Sequence, residues 1–173
     1  MPNFPMALQD VNALDRAGFV ALFGDVAEHS PWVAEAASSV RPFARQRAMS
    51  EAFLDAILDA DEPRKLALLR AHPDLAGRAA IAGDLAAESR KEQAGAGLDR
   101  LTAEEFARFT ELNSAYQAKF GFPFILAVKG ATKDQILKSF AERIRHDHEQ
   151  EFAAALIQVA KIVAFRLEDR VAP

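Results

Sequence analysis

The chain has 173 residues, of which 50% are hydrophobic, 27% are charged and none is cysteine. This length predicts one domain over residues 1–173, and the missing thiols exclude disulfides, thiol catalysis, iron–sulfur clusters and cysteine-ligated zinc. The net charge of -4, the lack of long basic or apolar runs and the lack of a targeting signal predict a cytoplasmic protein that binds neither nucleic acid nor membrane.

Helix-forming residues dominate the sequence, and almost no stretch alternates apolar and polar residues as a strand does. We therefore predict an all-α fold, a single-domain bundle of about eight helices. Apolar residues recur at helical spacing and indicate the core-facing stripes. The predicted core residues are Leu14, Phe19, Leu22, Phe23, Met49, Phe53, Ile57, Leu66, Leu69, Phe106, Phe109, Leu112, Ile136, Phe140, Phe152, Leu156, Val159 and Val163.

Four helix starts are marked by residues that can cap a helix. Two of them precede a proline, which suits the first helical position because its missing amide proton needs no partner there. A third belongs to a Thr-x-x-Glu capping box, in which each side chain accepts a hydrogen bond from the other residue's amide. The predicted N-caps are, in chain order, Ser30, Glu62, Thr102 and Thr132.

Two segments interrupt the helical pattern. Pro73 pushes His72 out of the helical conformation and so ends the preceding helix. The second segment is an apolar run bracketed by glycines and broken by Pro123, which predicts an extended, buried stretch near residues 121–128. Buried backbone amides need hydrogen-bond partners, and a ligand is one candidate for that partner.

His72 is the first candidate for a functional residue. A forced helix end can direct a side chain into a cleft, and imidazole is the usual proton carrier at neutral pH. The alternative is a structural histidine that caps the helix or is hydrogen-bonded in the core. His146 and His148 would point in nearly opposite directions on a helix, so we predict no metal site there.

Ser89, Glu92 and Gln93 would share one face of a helix. A solvated surface is the ordinary explanation of such a polar face. The small residues at positions 94–97 favour close packing instead, which would carry the face toward the interior.

Arg166 lies about 40° from the centre of the last apolar stripe, at 100° per residue. An arginine that faces a core needs an anionic partner. The alternative is that its guanidinium reaches water near the helix end. Arg143, on the preceding helix, is a weaker candidate.

Taken together, these motifs resemble the 2-oxo-4-hydroxy-4-carboxy-5-ureidoimidazoline (OHCU) decarboxylases of urate catabolism. The resemblance covers nearly the whole chain and rests on the order and spacing of the motifs. They are Glu28-His29-Ser30-Pro31-Trp32, Arg41-Pro42-Phe43, His72-Pro73-Asp74-Leu75-Ala76, Ser89 with Glu92-Gln93 and Gly97-Leu98, Asn113 with Tyr116, Lys119-Phe120-Gly121-Phe122-Pro123-Phe124-Ile125, and Arg166-Leu167.

The resemblance implies an all-helical homodimer that forms (S)-allantoin and carbon dioxide from a small ureidoimidazoline substrate, without metal or organic cofactor. It makes His72 the catalytic histidine and pairs Glu92 with that histidine and the substrate. His146 replaces an asparagine found in many relatives, and we do not place it in the site. The implied substrate-binding residues are Pro73, Ser89, Arg90, Lys91, Gln93, Phe124, Ile125, Leu126, Ala127, Val128 and Arg166.

The chemistry of this substrate suits such a set of residues. The reacting ring carbon carries a carboxylate and a hydroxyl beside a C=N bond, so the conjugated ring can accept the electrons that carbon dioxide leaves behind. The protein must then supply a water-poor pocket, hydrogen-bond donors and a proton on one face. His72 would supply the proton, and Glu92 would fix the imidazole tautomer or hold the ureido N–H groups.

Arg166 has two open roles in this reaction. Contact with the departing carboxylate would stabilise the ground state, because charge leaves that group as the bond breaks. We prefer contact with a ring or ureido oxygen that gains charge. Two other functions remain open for the chain, namely a helical ligand-binding module without turnover and a lyase or hydrolase acting on another ureide.

Overall fold

The structure is a computed structural model that describes residues 4–77 and 86–172. Within these residues there are nine helices and no strand, and one isolated parallel bridge joins Met6 to Val171. The predicted all-α fold is therefore confirmed. The helices are α1 (Leu8–Ala13), α2 (Arg16–Phe23), α3 (Pro31–Ser38), α4 (Gln46–Asp59), α5 (Glu62–Ala71), α6 (Ala87–Gly95), α7 (Ala103–Phe120), α8 (Lys133–Arg143) and α9 (His148–Arg170).

The chain forms two compact units. Unit 1 comprises Met1–Ala71 and Val159–Pro173, and unit 2 comprises His72–Gln158. Helix α9 contributes residues to both, with the division after Gln158. A single domain over residues 1–173 stays a prediction.

The core of unit 1 is built around Phe19. Its ring centroid lies 5.0 Å from that of Phe23 and 6.1 Å from those of Phe43 and Phe53, and all three pairs are tilted. Tilted pairs set the positive edge of one ring near the negative face of another, which favours them over face-to-face sandwiches. The guanidinium of Arg41 covers the Phe19 ring at 4.8 Å.

The core of unit 2 joins helices α7 and α8 to the segment between them. Phe124 stacks on Phe140 with ring centroids 3.7 Å apart, and Tyr116 meets both rings edge-on. Gly121 ends α7 in the left-handed conformation, with φ of 76°, which glycine adopts at no steric cost. No helix forms over residues 121–128, and most of their side chains are buried, as predicted.

Twelve of the eighteen predicted core residues are buried. Met49, Phe53 and Ile57 on α4 are fully buried. On α5 Leu69 is buried as predicted, but the second buried leucine is Leu68, because Leu66 is only half-buried. The other half-buried members of the predicted core are Leu14, Leu22, Phe106, Leu112 and Phe152.

Three of the four predicted N-cap residues occupy the N-cap position, and one, Glu62, is corrected. Thr102 and Thr132 each cap a helix through a complete capping box. Ser30 directly precedes α3, but its hydroxyl makes no capping hydrogen bond. Glu62 lies inside α5, and the capping carboxylate belongs to Asp61, which accepts from the amide three residues later at 2.9 Å. The shorter aspartate side chain reaches that amide, which explains its preference for caps.

No helix within residues 4–77 and 86–172 is long and apolar enough to cross a lipid bilayer.

Candidate active site

The predicted catalytic histidine begins a buried loop in unit 2, residues 72–77, called here the His72 loop. Helix α5 ends at Ala71, as Pro73 predicts, and His72 is 7% exposed. Ala76 has a φ of 54°, in the left-handed region that residues with a Cβ seldom adopt. Such a conformation costs on the order of 1–3 kcal/mol and persists only where the surroundings hold it.

Amide side chains from α6 and α7 hold the His72 loop in this conformation. Gln93 accepts from the Ala76 amide at 2.9 Å and donates to the Asp74 carbonyl at 3.3 Å. Asn113 donates to the Leu75 carbonyl at 2.8 Å. Backbone groups of three successive residues are therefore fixed by buried side chains, which offsets the strain at Ala76 and restricts the loop that carries His72.

We expect Gln93→Leu to lower the free energy of unfolding by about 1–3 kcal/mol, because it leaves the buried Ala76 amide without its acceptor. Gln117→Leu is the matched control. Gln117 also holds the loop, through a 2.7 Å hydrogen bond to the Asp74 carboxylate, but it does so at the surface. Its loss is therefore expected to cost less than about 0.5 kcal/mol. Urea unfolding of both variants measures the difference, and equal losses would contradict the role assigned to Gln93.

Helix α6 turns its predicted polar face inward. Ser89 and Gln93 are buried, Glu92 is half-buried, and Arg90 and Lys91 are exposed. The alternative of a fully solvated face is therefore wrong. Both ends of the Gln93 amide contact the His72 loop, and the direct contacts of these five residues with substrate stay predictions.

Side chains from outside the segment form hydrogen bonds with part of the backbone over residues 124–128. Arg143 donates to the Ile125 carbonyl at 2.6 Å, and the Ala127 amide donates to Gln158 at 3.1 Å. The Ala127 amide thus has a protein partner, contrary to the idea that a ligand supplies it. The amides of Ile125 and Leu126 donate to no group within residues 4–77 and 86–172.

A buried carboxylate in unit 2 was not anticipated from the sequence. Glu151 is fully buried and accepts hydrogen bonds from Arg143, at 3.0 Å from Nε and 2.5 Å from Nη2, and from the Tyr116 hydroxyl. His146 Nδ1 lies 2.8 Å from its other oxygen. Its position on the helix could have indicated its burial, because Glu151 lies eight residues before Val159 of the predicted stripe and so falls within the same sector of the helix.

The buried setting of Tyr116 keeps its hydroxyl protonated. Burial raises its pKa well above the ordinary value, and the adjoining Glu151 carboxylate raises it further. Tyr116 therefore acts as a donor to Glu151 at neutral pH. Such hydrogen-bond donors, together with the Arg143 guanidinium, offset the hydration that the enclosed Glu151 carboxylate lacks.

Arg166 lies in unit 1 and has the anionic partner that its position predicts. Its Nη1 lies 2.9 Å from a carboxylate oxygen of Glu28 and 3.2 Å from the Val26 carbonyl. The two side chains are 4% and 3% exposed, so the alternative that the guanidinium reaches water is wrong. Glu28 belongs to one of the motifs quoted above, where it had no assigned role. Anion binding by Arg166 stays a prediction.

Arg170 makes a similar arrangement one turn later on α9. It donates to the Leu22 carbonyl at 2.6 Å and forms a two-point ion pair with Asp25, at 2.5 and 3.0 Å. Partial burial works against ionisation of Asp25, but the hydrogen bond and charge of Arg170 outweigh it and lower the carboxyl pKa.

We expect the stabilisation from Asp25 to disappear in acid. Because its folded pKa is lowered, the stabilisation is complete above the unfolded pKa of about 3.9 and is lost as the pH falls through the folded value. Asp25 is largely exposed, so solvent screening limits the effect to about 1 kcal/mol or less. Urea unfolding of Asp25→Asn and the parent chain should show a larger difference at pH 7 than at pH 3. An equal difference at both pH values would contradict the assignment.

The histidines near α9 have separate surroundings. His146 contacts Glu151, whereas the His148 ring stacks on Phe152 with centroids 6.3 Å apart. In the described part of the chain, no three His, Asp or Glu side chains are grouped so as to hold a metal ion.

Comparison with known proteins relates both units to one family. The family model described as OHCU decarboxylase matches residues 12–168. The 2-oxo-4-hydroxy-4-carboxy-5-ureidoimidazoline decarboxylase of Halalkalicoccus jeotgali is 42% identical over 168 residues, which cover 97% of this chain and 93% of that protein. The enzyme of the same name from Haloferax volcanii is 42% identical over 165 residues, covering 95% of this chain and 96% of that one.

A solved structure gives the same result. The crystal structure of (S)-allantoin synthase superposes with a TM-score of 0.79 and 33% sequence identity, covering 97% of this chain and 54% of that chain. Sequence and fold therefore agree over almost the full length. The resemblance read from the motifs is confirmed, and the chain belongs to the OHCU decarboxylase family.

Proposed function

We propose that this protein decarboxylates 2-oxo-4-hydroxy-4-carboxy-5-ureidoimidazoline to (S)-allantoin and carbon dioxide in urate catabolism, as a carboxy-lyase. Family membership sets the reaction class. The observation that carries the proposal is the His72 loop itself. A buried histidine on a strained loop, fixed through Gln93 and Asn113, is what a stereospecific proton donor requires.

The proposed reaction needs one bond broken and one proton delivered. The bond between the ring carbon and the carboxylate breaks, carbon dioxide leaves, and the electron pair passes into the conjugated ring. The neighbouring carbon of the former C=N bond, which carries the ureido group, then takes a proton from His72 on one face, which gives a single enantiomer. The hydroxyl proton of the carbon that lost carbon dioxide passes to the ring nitrogen, and that carbon becomes the carbonyl of allantoin. Holding the donor within hydrogen-bond reach of the carbon that it protonates accounts for a large part of such a rate advantage.

Other residues are assigned to binding and charge stabilisation. Glu92, half-buried on α6, orients His72 or holds the ureido N–H groups of the substrate. The segment over residues 124–128 supplies an apolar wall, and the amides of Ile125 and Leu126 supply donors where charge develops. Arg166 is assigned to a substrate oxygen that gains charge.

The decisive experiment follows the decay of freshly generated substrate and the handedness of the product. The substrate also decays without enzyme, so rate and optical purity must be read together. We expect strong acceleration and only (S)-allantoin. Allantoin binding in calorimetry without acceleration would favour a binding module, and acceleration with a different ureide alone would favour another lyase or hydrolase.

The proposal includes a cytoplasmic homodimer that acts without metal or organic cofactor. The resemblance supports the dimer, and the sequence supports the location. Light scattering of the purified chain tests the dimer, and activity after exhaustive chelation tests the absence of a metal requirement.

A further inference from the structure

We propose that Arg143, held by Glu151, is a positioning residue that aims and polarises the amide of Leu126 toward the substrate. The proposal rests on the proposed function, in which the segment over residues 124–128 contacts the substrate. It adds a role for two buried charged residues that the mechanism above does not use.

The first step is the division of the Arg143 guanidinium between two partners. Nε and Nη2 donate to Glu151, while Nη1 donates to the Ile125 carbonyl at 2.6 Å. A guanidinium is planar and rigid, so fixing one edge on a carboxylate fixes the direction of the remaining N–H groups. The guanidinium also lies over the Phe124 ring, with its carbon 4.5 Å from the centroid. Arg143 is therefore held on three sides.

The second step follows from the planarity of the peptide unit. The Ile125 carbonyl and the Leu126 N–H belong to the same peptide and point in opposite directions when it is trans. Anchoring the carbonyl on Arg143 therefore points the Leu126 N–H away from Arg143. That N–H has no acceptor within residues 4–77 and 86–172.

The third step concerns the strength of this donor. A charged hydrogen bond at a carbonyl oxygen draws electron density from the peptide and strengthens the N–H at its other end. A fixed, strengthened donor stabilises charge that develops in a transition state more than charge already present in the substrate. The Leu126 amide would thus act on the oxygen that gains charge as carbon dioxide leaves.

The fourth step is that stability alone does not call for this arrangement. Glu151 and Arg143 are both buried, and a buried ion pair offers little over well-packed apolar side chains of similar volume. The ion pair fixes the direction of the Ile125 carbonyl, which apolar side chains cannot do because they donate no hydrogen bond. Tyr116 and His146 also contact the Glu151 carboxylate and keep it in place.

The test compares Arg143→Lys with Arg170→Lys. Arg170 is the matched control, since it is also 8% exposed, also pairs with a carboxylate and also binds a backbone carbonyl, but it lies in unit 1. In both variants lysine keeps the positive charge but lacks the planar guanidinium, which can donate to two partners at once. We expect a fall in kcat of about tenfold or more with little change in KM for Arg143→Lys, and kcat within about twofold of the parent for Arg170→Lys.

A spectroscopic measurement keeps the proposal testable apart from turnover. In a ¹⁵N-leucine-labelled chain, the Leu126 amide resonance should shift in Arg143→Lys and stay in place in Arg170→Lys. Glu151→Gln, which keeps the shape of the side chain, should shift the same resonance by a smaller amount and lower kcat by less.

Three outcomes are distinguishable. An inactive parent chain would contradict the proposed function, whatever the variants do. An active parent with equal kcat losses in the two lysine variants, or with an unmoved Leu126 resonance in Arg143→Lys, would overturn the positioning role alone. A selective fall in kcat together with the shifted resonance would support it.

Discussion

His72→Ala is expected to lower kcat by a hundredfold or more and to leave the fold in place. A positioned general acid contributes roughly 10²–10⁴ in rate, and the structure offers His72 on a loop whose backbone is fixed independently of its side chain. Because the loop is held by Gln93 and Asn113, removing the imidazole should not release it. The residual product should be racemic, since it would come from spontaneous decay.

The measurement is a rapid assay with freshly generated substrate, combined with chiral analysis of the allantoin. His148→Ala is the control, because His148 is an exposed histidine of the same unit, stacked on Phe152. Its kcat should stay within about twofold of the parent value. Retained turnover and retained handedness in His72→Ala would remove the histidine from the mechanism.

Local rules predicted those parts of the fold that depend on neighbours in sequence. Pro73 constrains the residue before it, so the end of α5 at Ala71 was predictable. The capping boxes at Thr102 and Thr132 were predictable for the same reason, since both partners lie within four residues. Ser30 shows the limit of such rules. The proline after it sets where α3 begins, but whether the hydroxyl turns toward the helix depends on its surroundings.

Partners distant in sequence were not predictable from one chain. Periodicity indicates that Arg166 faces a core, yet it cannot indicate that Glu28, 138 residues earlier, is there to meet it. The same holds for Gln158, whose contact with the Ala127 amide spans 31 residues. Arg143 appeared only as a weaker alternative, because its partner Glu151 lies on another helix. A helical pattern indicates which way a side chain points but does not indicate which residue it contacts.

Arg166→Met is expected to lower the free energy of unfolding by about 3–5 kcal/mol, the usual cost of removing one member of a buried ion pair. The loss arises because Glu28, 3% exposed, loses the counter-charge 2.9 Å away. Glu28→Gln should cost a comparable amount. The double variant Glu28→Gln/Arg166→Met should recover most of the stability, since neither charge of this ion pair is then left without the other. Urea unfolding of all three variants against the parent measures this, and no recovery in the double variant would contradict the ion-pair account.

The double variant also separates the structural role of Arg166 from its proposed role in binding. If Arg166 only neutralises Glu28, restoring stability should restore turnover as well. If Arg166 binds the substrate, the double variant should stay impaired although it is stable. The kinetic constants then distinguish the two possible contacts of Arg166, namely the departing carboxylate and the substrate oxygen that gains charge. A rise in KM with kcat unchanged or raised would place the guanidinium on the departing carboxylate, whose charge decreases in the transition state. A fall in kcat would place it on the oxygen that gains charge, which is the result we expect.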